Sequence, residues 1–188
     1  MTSLTLQVQK RNPREIRAVN EPVPLDLTVG EVLLRVDSFA FTANNVTYAM
    51  FGDTMHYWDF FPSGEADWGV IPVWGFATVA RSNHPDVAVG ERVYGYLPMS
   101  THFVADAGHV TASGFTVMAA HLRGMDAFYN LYSRTAADPG YDPAREAEQM
   151  LLRPLFFTGF LIDDFLADSG FFGAKRVVVS GASSKTSI

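Results

Sequence analysis

The turn Gly181-Ala182-Ser183-Ser184-Lys185-Thr186 follows the apolar run Val177-Val178-Val179 directly. Its Ser and Thr hydroxyls, the backbone N–H groups of a helix start and the Lys185 charge all suit a phosphate. The same residues also make an ordinary serine-rich cap between a strand and a helix. A P-loop is rejected, because its two glycines would fall at Val179 and Ser184. Asp53, His56, Asp59, Glu65 and Asp67 are metal-ligand types, but their spacing fits no ligand pattern and reads as the acids of a solvated loop. His84, His102, His109 and His121 are dispersed and suggest no nucleophilic triad. With no cysteine there is no disulfide framework, thiolate ligand or thiol nucleophile, so redox chemistry would need a cofactor.

The elements that must position these residues change character along the chain. From Leu4 to about Val110, short extended segments alternate with turn signals; Leu4–Lys10, Glu31–Phe39, Val73–Ser82, Glu91–Leu97 and His102–Ala105 read as strands of a small β-barrel or sandwich. Thr42 to Phe51 reads as a short helix. The loop from Gly52 to Gly69 is long and aromatic. Its Tyr57, Trp58, Phe60 and Phe61 suit the apolar wall of a substrate pocket, or equally a subunit interface or a flap over the barrel.

Helices are expected beyond Gly114. Phe115 to Arg134 has apolar residues at helical spacing, and Asp142-Pro143 caps a helix over Ala144–Leu152. A further apolar helix is expected over Arg153–Ala167, with Pro154 near its start. Ala174 to Ser180 then reads as a strand buried on both faces of a parallel sheet. Such a strand needs a neighbour reached through a crossover, so the nucleotide-binding unit it opens is expected to be incomplete.

With 188 residues, 48% hydrophobic and 13% aromatic, the chain can bury a substantial core. Net charge is −6 and the basic residues are scattered, which argues against nucleic acid as a partner. The N-terminus alternates polar and apolar residues like a strand, and the apolar stretch from Pro154 to Ile162 is too short to span a bilayer. A cytoplasmic protein without membrane contact is expected. An unpaired apolar edge at Val177–Val179 favours pairing with a copy of the chain, so a homodimer is among the partners to expect.

Three blocks carry a resemblance. Pro24 to Val36 contains Val29-Gly30-Glu31-Val32-Leu33-Leu34; Ile71-Pro72-Val73-Trp74-Gly75-Phe76-Ala77 is followed by Gly90-Glu91-Arg92-Val93-Tyr94-Gly95; and Val177 to Ser187 is a strand and turn. In this order they resemble the medium-chain dehydrogenase/reductase superfamily, on its zinc-less quinone-oxidoreductase-like side. Ala43 to Ala49, Tyr57 to Pro62 and Ser183 to Thr186 look like a bacterial branch of it with no assigned activity.

The resemblance implies an α+β chain. Residues 1–114 would be a GroES-like substrate-side barrel, 115–173 a helical connector, and 174–188 the first strand and turn of a truncated Rossmann domain. Phe76-Ala77 and the region of Ala43–Asn45 stand where zinc-dependent relatives carry ligands, which implies no catalytic zinc. Gly181 to Thr186 would hold the pyrophosphate of NADP or NAD, although Ser184, Lys185 and Ser187 occupy the family's glycine places. Tyr48 would reach nicotinamide and substrate, with Asn45, or Asn44, as a carboxamide donor or a helix cap. The implied function is NAD(P)H-dependent reduction of a quinone or enone, inactive in this fragment. The alternative is a non-catalytic binding or assembly module.

Overall fold

In the computed structural model, residues 1–181 are described together with 183, 184 and 186; Ala182 and Lys185, both expected at a phosphate turn, lie outside the described residues. The chain starts with an antiparallel hairpin, β1 (Thr2–Gln9) and β2 (Asn12–Pro22), to which the two-residue β4 (Trp68–Gly69) adds on the free edge of β1. A closed six-stranded barrel follows, in the order β3 (Glu31–Ala40), β5 (Pro72–Ser82), β6 (Arg92–Pro98), β9 (Leu131–Arg134), β8 (Gly114–Val117) and β7 (His102–Thr111). Its interior is filled by the inward side chains of these strands, including Leu34, Phe76, Tyr96, Phe115 and Tyr132.

Between β3 and β4 lies α1 (Ala43–Met50), whose start is legible in the residues. The Thr42 hydroxyl accepts from Asn44 N at 3.3 Å, while Asn45 Oδ1 accepts from Thr42 N at 2.7 Å, a reciprocal capping box. The Gly52–Gly69 loop folds around Trp58, whose indole fills the space that a β-carbon on either Gly52 or Gly69 would take.

The helix expected over Phe115–Arg134 is not formed. That stretch holds β8, a short 3-10 turn at Ala120–Leu122, the four-residue α2 (Ala127–Asn130) and β9. Closing the barrel decides it: Phe115, Val117 and Tyr132 are needed on the inside, and the Phe115 and Tyr132 rings stack with centroids 5.5 Å apart.

Asp142 caps as expected, its carboxylate accepting from Ala144 N at 2.9 Å. Beyond it a single helix, α3 (Glu146–Asp168), replaces the two that were expected. Pro154 lies inside it, where the ring removes one helical N–H donor without ending the helix. No helix among the described residues is long and apolar enough to cross a membrane.

The strand expected at Ala174–Ser180 is absent. Val177, Val178 and Val179 are exposed and pair with no strand among the described residues. A β-branched run becomes a strand only when a partner supplies the ladder.

Candidate functional site

α1 faces the barrel mouth with Tyr48, which is buried. The Asn44 amide, one helical turn earlier, donates to the Tyr48 hydroxyl at 2.8 Å. The oxygen thereby serves as an acceptor, and the Trp74 and Tyr96 side chains stand close to the same hydroxyl. Burial, then the neighbouring Tyr57, pushes the Tyr48 phenol above its ordinary range, so it stays protonated at neutral pH.

Around it is a continuous aromatic cluster. Tyr57 packs on Tyr48 with centroids 4.3 Å apart, and Tyr96, projecting from β6, meets Tyr48 edge-on at 6.0 Å. Trp74 and Tyr129 each lie 4.9 Å from Tyr96, and Phe60 lies 5.1 Å away. The Tyr96 hydroxyl is buried with no hydrogen-bond partner among the described residues. Tyr129 is pushed up to about 12, first by burial and then by Tyr57 and Tyr48. These phenols are protonated donors, suited to polarising a carbonyl oxygen.

Two openings border the cluster. Tyr57, Phe60 and Tyr129 line a pocket of about 450 Å³ with His56, His121 and Arg123. The other side of Tyr48 is closed by Met150, Leu151, Pro154 and Leu155 of α3, leaving about 20 Å³. Of the four loop residues expected at a pocket, Tyr57 and Phe60 border this 450 Å³ opening; Phe60 also borders a second cavity, together with Phe61. Trp58 is the packing centre of its own loop. Asn45 is built into the fold at both ends of its amide, with Nδ2 donating to Pro72 O at 2.9 Å and Oδ1 capping α1. Nothing local in the sequence marks Tyr129 as a neighbour of Tyr48, because its stretch carries the apolar spacing of a long helix.

α3 is held over this site by charge. Arg92 of β6 donates through Nε and Nη2 to the two Glu146 oxygens, each at 2.5 Å, and through Nη1 to Asp37 at 2.8 Å. Hydrogen bonding from Arg92 holds the Glu146 carboxyl below the usual range. At Asp37, burial pushes upward but is outweighed by hydrogen bonds from Thr78, Arg35 and Arg92, and the net shift is downward. Depressed folded pKa values mean the contribution is complete above the ordinary carboxylate pKa and lost as pH falls through the folded values. Glu146→Gln is therefore expected to cost about 1–3 kcal/mol at neutral pH. It should also reduce the parent's loss of stability on acidification, as read by urea unfolding; equal acid dependence in the two proteins would refute the assignment.

Among the described residues no group of three His, Asp or Glu side chains is placed to hold a metal ion. At the C-terminal turn, Gly181 takes φ 67°, the left-handed conformation that favours glycine. Ser184 N donates to Gly181 O at 2.8 Å and Thr186 N to Ser184 Oγ at 3.2 Å. Both of these N–H groups are thereby spent inside the turn, and the side-chain hydroxyls are what it still presents as donors.

Residues 39–188 match the family model described as a protein of unknown function, DUF2855. The chain belongs to the DUF2855 family. No curated protein matches this DUF2855 chain in sequence. Among solved structures it is similar to the mitochondrial 2-enoyl thioester reductase Etr1p/Etr2p heterodimer from Candida tropicalis, with a TM-score of 0.50 and 12% identity. That match covers 100% of this chain and 50% of the other, so the chain spans about half the length of that relative. A provisionally assigned NADPH:quinone reductase from Bacillus thuringiensis is matched at a TM-score of 0.39 and 13% identity, over 82% of this chain and 42% of that one. At 12% identity the likeness to the first of these concerns fold alone: the DUF2855 chain has a GroES-like barrel with short helices, as expected from the sequence blocks.

Proposed function

We propose that this chain is the N-terminal, substrate-side part of a zinc-independent, NAD(P)H-dependent reductase of small quinones or conjugated carbonyls. The observation that carries this reading is the Tyr48 hydroxyl, buried among aromatic rings and accepting a hydrogen bond from Asn44. Tyr48 orients a substrate carbonyl and stabilises the negative charge that develops on its oxygen. The pocket beside Tyr57 and Tyr129 presents aromatic rings to a flat substrate. A nicotinamide cofactor, held through its pyrophosphate by Gly181, Ala182, Ser183, Ser184, Lys185 and Thr186, supplies hydride when bound.

Two features support a larger whole. The C-terminal half of α3 exposes Phe156, Phe160, Ile162 and Phe165 on more than one side, and the Val177–Val179 run is also exposed. So many exposed large apolar side chains on one helix are normally covered, and a nucleotide-binding domain would cover them. The 188-residue chain alone is expected to show no turnover.

Titration of the full-length protein with NADPH and NADH, followed by nicotinamide fluorescence, tests the reading. Saturable binding of at least one with Kd below about 1 mM is expected. Absence of binding by both would refute the reductase assignment and favour a non-catalytic module.

A further inference from the structure

The inward face of β1 runs against the usual pattern. Ser3, Thr5 and Gln7 are 9, 9 and 2% exposed, whereas Leu4 between them is 38% exposed. A strand face buried in water-poor surroundings is ordinarily apolar, because a buried polar group without a partner costs about 1–3 kcal/mol. Some of these groups are accounted for. Ser3 Oγ donates to His102 O at 3.2 Å and accepts from His102 N at 3.1 Å, and Ser100 Oγ donates to His102 O at 2.8 Å. Gln7 Nε2 and Thr5 Oγ1 bond to no other described residue and, unlike the Tyr96 hydroxyl, are not sealed from solvent. Both residues line a cavity of about 270 Å³ between the hairpin and the barrel, apart from Tyr48.

The orientation of the Gln7 amide is set from behind. Arg17, its cross-strand partner on β2, donates to Gln7 Oε1 from Nε at 2.9 Å and from Nη2 at 2.6 Å. Arg17 is itself fixed by an ion pair with Glu65 and by the Trp68 ring, 4.0 Å from its guanidinium carbon. With the carbonyl end occupied, the amide offers only its two N–H donors. The remaining walls include the rings of Phe60, Phe61 and Phe103, with His102 and His121. No lysine or arginine lines the cavity among the described residues, and Glu21 contributes a carboxylate, so an anion is disfavoured. His102 is held below its ordinary range by burial, then by Arg35 and Arg81, which keeps it neutral.

We infer that this cavity is a second ligand site, selective for a small uncharged planar molecule whose carbonyl oxygen accepts from Gln7 Nε2 and Thr5 Oγ1. A volume of this size takes one ring with a single polar substituent. The site shares Phe60 and His121 with the 450 Å³ opening but uses neither Tyr48 nor the C-terminal turn.

The test uses benzamide as the probe on the ¹⁵N-labelled chain. The Gln7 side-chain NH₂ signals, identified by their loss in Gln7→Glu, should shift and saturate with Kd of about 1 mM, as befits a ligand of this size. Gln7→Glu keeps the Arg17 partnership but replaces the donor by an acceptor, and should weaken binding more than about tenfold. Thr5→Val, which removes only the hydroxyl, should weaken it about fivefold, and serves if Gln7→Glu does not fold. Benzoate should bind more weakly than benzamide, and Tyr57→Ala should leave benzamide binding unchanged. An unshifted Gln7 amide, equal binding by benzoate, or binding that responds to Tyr57→Ala but to neither β1 variant would overturn the inference.

Discussion

Gly75→Ala is expected to prevent the barrel from folding, or to lower its stability by at least about 3 kcal/mol. Gly75 lies in β5, opposite Phe39 of β3 on one side and Gly95 of β6 on the other. A β-carbon there would stand 2.3 Å from Ser38 O and 2.9 Å from Phe39 Cα. Both are backbone atoms, so relief requires separating β3 from β5, the seam that carries α1 and Tyr48. Gly95→Ala meets the Tyr132 ring at 2.6 Å. That ring cannot swing aside, because it stacks on Phe115 and its hydroxyl donates to Tyr96 O. Gly140→Ala is the control, its nearest contact being the Asp138 side chain at 3.4 Å. Urea unfolding followed by tryptophan fluorescence measures all three; a Gly75→Ala protein within about 1 kcal/mol of the parent would show that the close approach is relieved cheaply.

Tyr48→Phe in the full-length protein is the second large effect: kcat/KM should fall about 100-fold, with NADPH affinity unchanged. The substitution keeps the ring against Tyr57 and Tyr96 and removes only the hydroxyl. Because burial raises the Tyr48 pKa, the donor form persists through neutral pH, and activity should decline only on the alkaline side of the ordinary tyrosine range. The Phe variant should lack that alkaline decline. Asn44→Ala leaves the phenol but removes the donor that makes it more acidic, so a loss of about tenfold is expected. If Tyr48 serves packing alone, Tyr48→Phe will alter stability and leave kcat/KM within about twofold of the parent.

Much of the local structure was written in neighbouring residues. Thr42 and Asn45 form the capping box that starts α1, and Asp142-Pro143 starts the turn leading into α3, because caps depend on groups three residues apart or fewer. β3, β5 and β6 carry long enough apolar patterns to be seen as strands. β8 and β9 do not: each is four residues long, and the surrounding spacing is equally that of a helix. At the site, Asn44 and Tyr48 are one helical turn apart and their pairing follows from α1 alone. Tyr129 joins them only after β8 and β9 close the barrel, and nothing near it in the chain records that closure.

The sequence by itself determined the barrel strands around Gly75 and Gly95, the helix that carries Tyr48, and the absence of cysteine chemistry, since each is set by residue type and short-range pattern. The tertiary structure decided the rest. It brought the β3 backbone to where a β-carbon on Gly75 would stand 2.3 Å from Ser38 O, kept Asn45 for the fold, placed Tyr129 in Tyr48's aromatic cluster and left Val177–Val179 without a strand partner among the described residues. These outcomes depend on which distant segments meet, and ladder pairing and burial, unlike caps and periodicity, exist only once they have met.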